Sequence, residues 1–233
     1  MKQIKTFSDE RLDLMCSYCG DRANETRDHV PSKILLDEPF PENLPVVPCC
    51  FECNQGFSSH ELYFACSIEC ILRGSAELEK LHRKKIISVF ESRPELQRRI
   101  GDSFTLIDGQ LHFKIEEDSF LKVITKLAKG HAKFESSEPQ YDAPTSITFK
   151  PLYLMTEIES VNFFALHELN KLPEVGSRGS QNLLIFGKNM VNSNWTTVQS
   201  EIYEYSVIND MGLLVVRIVI WNYLAIEVIW EEI

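Results

Sequence analysis

The chain lacks several features that would assign it to a class at once. Its first fifteen residues, MKQIKTFSDERLDLM, contain no uninterrupted apolar core and no small-residue cleavage site, so no secretory signal is expected. Internal repeats and low-complexity segments are missing too. Seven cysteines are an odd number, which excludes a complete disulfide framework. In the cytoplasmic setting expected here, thiols serve as metal ligands or small buried side chains. Positive charge is scarce: 24 Lys and Arg stand against 34 Asp and Glu, giving a net charge of −10. Such a chain must concentrate any phosphate contact in a local positive field. The segment from Gly179 to Gly187-Lys188 has the wrong spacing for a phosphate loop, and no Ser or Thr follows the lysine. The long apolar run LLVVRIVIWNYLAIEVIW is broken by Arg217, Asn222 and Glu227. Its β-branched content predicts buried strands, not a membrane span.

The charge is uneven. Residues 1–100 hold 14 Lys/Arg against 16 Asp/Glu, and residues 101–233 hold 10 against 18, so the acidic excess is C-terminal. Lys80, Arg83, Lys84 and Lys85, with Arg93, Arg98 and Arg99 beyond them, make a basic cluster. It suits phosphate or a solvated helix face equally well.

What is present is concentrated between Cys16 and Cys53. Cys16 and Cys19 form one C-x2-C pair, and Cys50 and Cys53 form a second. Four thiolates at this spacing can complete a tetrahedral zinc site and fix the polar residues between the pairs. Cys49 could replace Cys50 if the loop shifts by one, while Cys66 and Cys70 read as buried apolar side chains. Inside the knot lie Asp28-His29 and Asn43, and Asn54 follows the second pair directly. Histidine titrates near neutral pH, which suits His29 to general-base work. Asp28 and Asn54 offer hard oxygen donors for Mg²⁺ or Mn²⁺, with open positions for phosphate and water. Each also has a plain structural role available: Asp28-His29 as a polar dipeptide, Asn54 as a helix cap, Asn43 as a turn residue. His60 and Glu61 are explained by capping and solvation, and His82, His112, His131 and His167 are scattered.

The order C-x2-C, DH, N-L, C-x2-C-N resembles the HNH endonuclease family in its H-N-N form, over roughly residues 16–60. On that resemblance His29 takes the place of the family's first histidine, Asn43 of its central asparagine and Asn54 of its third motif residue. Asp28 matches the acidic residue that often precedes the first histidine, and Pro31 and the NLPVV run also match. Phe57 departs from the pattern, standing where many members carry Lys or Arg. The resemblance implies a zinc-knotted ββα-metal module that hydrolyses phosphodiester bonds in DNA. Zn²⁺ would be structural, and a catalytic Mg²⁺ or Mn²⁺ would be held by Asp28 and Asn54. His29 would act as general base, and Asn43 would orient it by hydrogen bonding to backbone. The alternative is a catalytically inactive zinc-stabilised module that binds nucleic acid or protein.

The pattern of elements predicts an α+β chain. Thr26 to Val30 and Leu44 to Val47 read as short strands, and the S-x-x-E box of Ser58 and Glu61 predicts a helix start near Ser58. That helix is apolar almost all round from Leu62 to Leu72 and ends at Gly74-Ser75. Leu78, His82, Ile86, Val89 and Phe90 predict another, interrupted at Arg93-Pro94. Apolar residues alternate about Asp108-Gly109 as in a hairpin. Phe120, Val123, Ile124, Leu127 and Ala128 then form a helical stripe, with Gly130 as its C-terminal cap. A strand around Ile147–Leu154 precedes a helix begun by the box of Thr156 and Glu159, with Ile158, Val161, Ala165 and Leu169 as its stripe and Pro173 just past its end. Ile202–Ile208, Leu213–Trp221 and Leu224–Trp230 read as three tail strands. Residues 1–74 are then the HNH module, 75–100 a helical linker, and 101–233 a C-terminal antiparallel sheet with packed helices. That domain carries no readable motif, so contact with a partner protein or a second copy through it is an expectation.

Overall fold

In the computed structural model, which describes residues 13–21, 25–42, 44–165, 177–178 and 195–231, the breaks in the apolar pattern become tight turns. Asp108-Gly109, Met211-Gly212 and Trp221-Asn222 all take positive φ. Two successive positive φ values give the turn whose twist matches that of paired strands, which is why each forms a hairpin. The described chain is α+β and divides into two compact units, Met1–Gln55 with Ile124–Ile233, and Gly56–Val123.

The first unit holds the sheets β1–β2 and β5–β9. Strands β1 (Thr26–His29) and β2 (Val46–Cys49) pair antiparallel, with Asp28 opposite Val47 and His29 opposite Val46. Helix α1 (Phe51–Arg73) starts two residues after β2 and completes a ββα arrangement. The C-terminal sheet is five-stranded and antiparallel, built from β5 (Ser146–Pro151), β6 (Trp195–Gln199), β7 (Tyr203–Asp210), β8 (Leu213–Ile220) and β9 (Leu224–Glu231) in the order β5-β9-β8-β7-β6. Val216, Ile218, Ile226 and Val228 on the inner strands are fully buried. The charges that interrupt the apolar run are reconciled in register: Arg217 lies opposite Glu227 and donates to it at 2.7 Å. Helix α4 (Glu117–Ser136) buries its predicted stripe of Phe120, Val123, Ile124, Leu127 and Ala128.

The second unit contains the rest of α1, helices α2 (Lys84–Ser92) and α3 (Pro94–Gly101), and the hairpin β3 (Phe104–Ile107)–β4 (Gln110–Phe113). Tyr63, Phe64, Ile86, Phe90, Ile100 and Phe120 fill its core. A buried Glu69 accepts the backbone N–H groups of His82 at 2.8 Å and Arg83 at 3.3 Å, satisfying donors at the start of α2. Of the basic cluster, Lys80 pairs with Glu77, Arg99 pairs with Glu116 and Arg83 is buried.

Several expected boundaries move, each for a physical reason. Helix α1 begins at Phe51 instead of Ser58, because Cys50 caps it. Its carbonyl accepts Asn54 N–H at 3.1 Å and its sulfur accepts Cys53 N–H at 3.4 Å, as an N-cap side chain does. The Ser58–Glu61 box therefore lies inside the helix. Gly130 is likewise interior, and α4 runs on to Ser136, where Ser137 takes positive φ. Leu78 to Phe90 forms a single 3-10 turn at Leu78–Lys80 followed by α2. The predicted capping box of Thr156 and Glu159 starts helix α5 (Glu157–Phe164). Its expected stripe does not pack: Ile158 is 75% exposed and Val161 63%, while Phe163 is the buried residue. Leu169 and Pro173 lie outside the described residues. Strand β6 and helix α3 are additions to the expected elements.

Candidate metal centre

The two C-x2-C pairs converge. The sulfurs of Cys16, Cys19, Cys50 and Cys53 all lie within 4.8 Å of one another. Those of Cys19 and Cys50 are 4.0 Å apart. A tetrahedral zinc with Zn–S near ~2.3 Å separates its sulfurs by roughly 3.8 Å, so the donor set fits that ion. Cys49 stays outside it, its sulfur 3.3 Å from the Cys50 carbonyl oxygen, and the clustered sulfurs include that of Cys50. Backbone N–H groups support the sulfurs, Tyr18 N to Cys16 at 3.4 Å and Cys53 N to Cys50 at 3.4 Å.

Local conformation explains the cluster. Gly20 closes the first pair with its N–H on the Cys16 carbonyl at 3.0 Å and a φ of +71°. A Cβ there would meet the Tyr141 ring at 2.8 Å, so only glycine fits the turn beneath that ring. Ser17 N–H on the Pro48 carbonyl at 2.9 Å ties the first pair to β2. The thiols of the cluster differ in their electrostatics. A hydrogen bond from the Cys49 thiol holds Cys16 down to about 3, whereas burial pushes Cys19 and Cys53 up, and the Cys16 thiolate reinforces it. Four crowded sulfurs ionise together only around a positive ion.

The polar residues between the pairs sit close to this cluster in the chain. Asn54 lies in the first turn of α1, and its Nδ2 donates to Thr26 Oγ1 on β1 at 3.1 Å. That bond uses the amide nitrogen and leaves the Asn54 carbonyl oxygen as the acceptor. Asp28, two residues along β1 and therefore on the same face as Thr26, is buried. One of its oxygens, Oδ2, accepts both the Tyr18 hydroxyl at 2.5 Å and the Lys126 ammonium at 2.7 Å. Lys126 also donates to Ser32 Oγ at 2.7 Å. Asp28 and Asn54 are thus both tied to β1, Asp28 as a residue of the strand and Asn54 through its bond to Thr26. His29, the last residue of β1, is half-buried. Burial, then the Lys33 ammonium, lower its pKa below the ordinary imidazole value, against the raising effect of Asp28. Asn43 lies outside the described residues.

Two site residues escaped the sequence reading, Tyr18 and Lys126. Lys126 lies between Val123 and Leu127 of the apolar stripe, and a lone charge at such a position was the available signal. It begins a row with Lys129 and Lys133, spaced as one helix face and all buried. Lys129 donates to the Tyr141 carbonyl at 2.9 Å, and Lys133 pairs with Asp13 at 3.1 Å.

No helix among the described residues is long and apolar enough to cross a membrane. Compared with known proteins, the chain matches no family, no curated protein and no solved structure.

Proposed function

We propose that this chain is a metal-dependent endonuclease of the HNH type that hydrolyses phosphodiester bonds in DNA. The observation that carries the reading is the ββα arrangement bracketed by the four-cysteine cluster, with Asp28-His29 at the end of β1 and Asn54 in the first turn of α1. A neutral His29 takes a proton from water, whose oxygen attacks phosphorus as the bond to the leaving sugar oxygen breaks. The depressed imidazole pKa keeps His29 in its base form at neutral pH. Asp28 and Asn54 would hold Mg²⁺ or Mn²⁺, which when bound supplies the positive charge that the phosphate transition state requires. Asn43 would orient His29, as the resemblance implies. The zinc would be structural, and the C-terminal sheet would serve a partner protein, a second copy or substrate choice in a cytoplasmic enzyme.

Two observations favour a second reading, a zinc-stabilised binding module without catalysis. The Lys126 ammonium already neutralises Asp28, and the chain carries a net charge of −10. Plasmid DNA incubated with the zinc-loaded protein and Mg²⁺ or Mn²⁺ separates the two. Cleavage is expected, with His29→Ala slower by about 10²–10⁴-fold. Equal rates for both proteins would show the activity to be a contaminant and leave the binding module.

A further inference from the structure

The contacts of Asp28 carry more than an ion pair. Tyr18 stands between the first two cysteines, and Lys126 comes from α4, yet both place a donor on the same carboxylate oxygen, Oδ2, at 2.5 and 2.7 Å. Both donors are firmly held. Tyr18 is buried, and its backbone N–H donates to Cys16 sulfur at 3.4 Å. Lys126 is 1% exposed and anchored a second time on Ser32. A carboxylate with one oxygen fixed by a hydroxyl and an ammonium has a fixed plane, so its other oxygen has a fixed direction. Ligating carboxylates are commonly held this way by an outer layer of hydrogen bonds.

We propose that Tyr18 and Lys126 are positioning residues, clamping Asp28 through Oδ2 so that Oδ1 is presented to the divalent ion. Tyr18 makes the clamp depend on the zinc cluster, since the residue whose N–H supports Cys16 is the one whose hydroxyl holds Asp28. Zinc therefore does more than stabilise the fold: it sets the aim of a ligand of the second ion. The proposal rests on the nuclease reading for the identity of that ion, and its test is chosen to fail separately.

The alternative role for Lys126 is as a permanent occupant, an internal cation in place of the divalent one. The two roles predict opposite signs. A clamp loses ion affinity when a donor is removed, whereas an occupant releases its place and affinity rises. Burial of the ammonium does not distinguish them; the sign of the change in ion affinity does.

The test measures Mn²⁺ affinity from the electron paramagnetic resonance of the free ion, on full-length zinc-loaded protein, with zinc content and DNA cleavage followed in parallel. Asp28→Asn serves as the site control. Tyr18→Phe removes a single hydroxyl and Lys126→Gln removes the charge while keeping a donor. Both are expected to retain zinc, to weaken Mn²⁺ binding by about 10–100-fold and to slow cleavage at limiting Mn²⁺. Unchanged Mn²⁺ affinity in both variants, with Asp28→Asn impaired, overturns the clamp and leaves the nuclease site standing. Tighter Mn²⁺ binding by Lys126→Gln also overturns it, in favour of the occupant. Wild-type Mn²⁺ affinity in Asp28→Asn sinks the ion site itself. Should Tyr18→Phe release zinc, Lys126→Gln decides by the same comparison, because it leaves the cysteine turn intact.

Discussion

The Cβ that Gly130 lacks would lie 2.7 Å from Cγ2 of Val30 and 3.3 Å from the Tyr18 hydroxyl. Gly130 is thus a packing residue in mid-helix, where it admits the residue that follows β1. Gly→Ala inside a helix ordinarily stabilises by about 1 kcal/mol. Here the added methyl meets a stiff β-branched side chain, and overpacking of this kind typically costs about 1–3 kcal/mol. Gly130→Ala is therefore expected to be neutral to destabilised by roughly 2 kcal/mol, seen as an unchanged or lower urea midpoint. A raised midpoint would mean that Val30 moves aside freely.

The cysteines should separate into three kinds. Replacing Cys16, Cys19, Cys50 or Cys53 by Ser should lose the zinc and unfold its surroundings, because binding energy at such a site is largely folding energy. Cys49→Ala should keep one zinc per chain, since its sulfur is outside the donor set. Cys66 and Cys70, pushed up to about 12 by burial, should resist alkylation until the protein is denatured. Metal analysis and thiol counting, with and without a chelator, check all three. A zinc-free wild type, or a Cys49→Ala protein without zinc, contradicts this assignment.

Much of this was legible because it depends on local chemistry. The hairpins at Asp108-Gly109 and Met211-Gly212 need residues that accept positive φ, and the α4 stripe follows from spacing alone. Cysteine spacing by itself points to the cluster. What could not be read was set by partners distant in sequence. The α1 start was hidden because a cysteine, not Ser58, caps the helix. Gly130 resembled a cap because nothing local announces that Val30, one hundred residues earlier, packs there. The α5 stripe is exposed against expectation because periodicity marks a face without saying whether anything covers it. Lys126 and Tyr18 escaped for the same reason: the group they share, Asp28, is close to them only in the fold.

His131 gives the fold a pH dependence. It is fully buried on α4, with Nε2 2.8 Å from the Tyr203 hydroxyl and its ring stacked on Tyr205 at 3.8 Å. Burial, then Lys126 and Arg178, hold its pKa well below the ordinary value. The unfolded chain therefore takes up a proton near ~6.5 that the folded chain refuses, so stability falls as pH drops through that value. The slope is at most about 1.4 kcal/mol per pH unit. Nearby Glu135, which accepts from Tyr205 and pairs with Arg178, is raised by burial and acts with the opposite sign at more acid pH. His131→Gln keeps a polar partner for Tyr203 and removes the titration. Its stability relative to wild type should improve between about pH 7 and about pH 5 in urea unfolding at saturating zinc. A difference that stays constant over that range would rule this linkage out.

The proposed site makes a last demand, that its residues fail in different ways. His29→Ala should bind Mn²⁺ as wild type does and lose rate, because a general base acts on the proton of water and not on the ion. Asp28→Ala should lose Mn²⁺ affinity, and it should also leave the Lys126 ammonium buried without its partner, a change that typically costs about 3–5 kcal/mol. Asn54→Ala removes a donor oxygen and the bond to Thr26 but strands no charge, so it should lose affinity with a smaller loss of stability. Excess Mn²⁺ should therefore restore more activity to Asn54→Ala than to Asp28→Ala. His29→Ala should gain nothing from it. All three should keep zinc, whose ligands are separate residues. Rate constants over a Mn²⁺ titration, with zinc content beside them, read the pattern directly. If added Mn²⁺ rescues His29→Ala instead, His29 is an ion ligand and the division of roles between it and Asp28 must be redrawn.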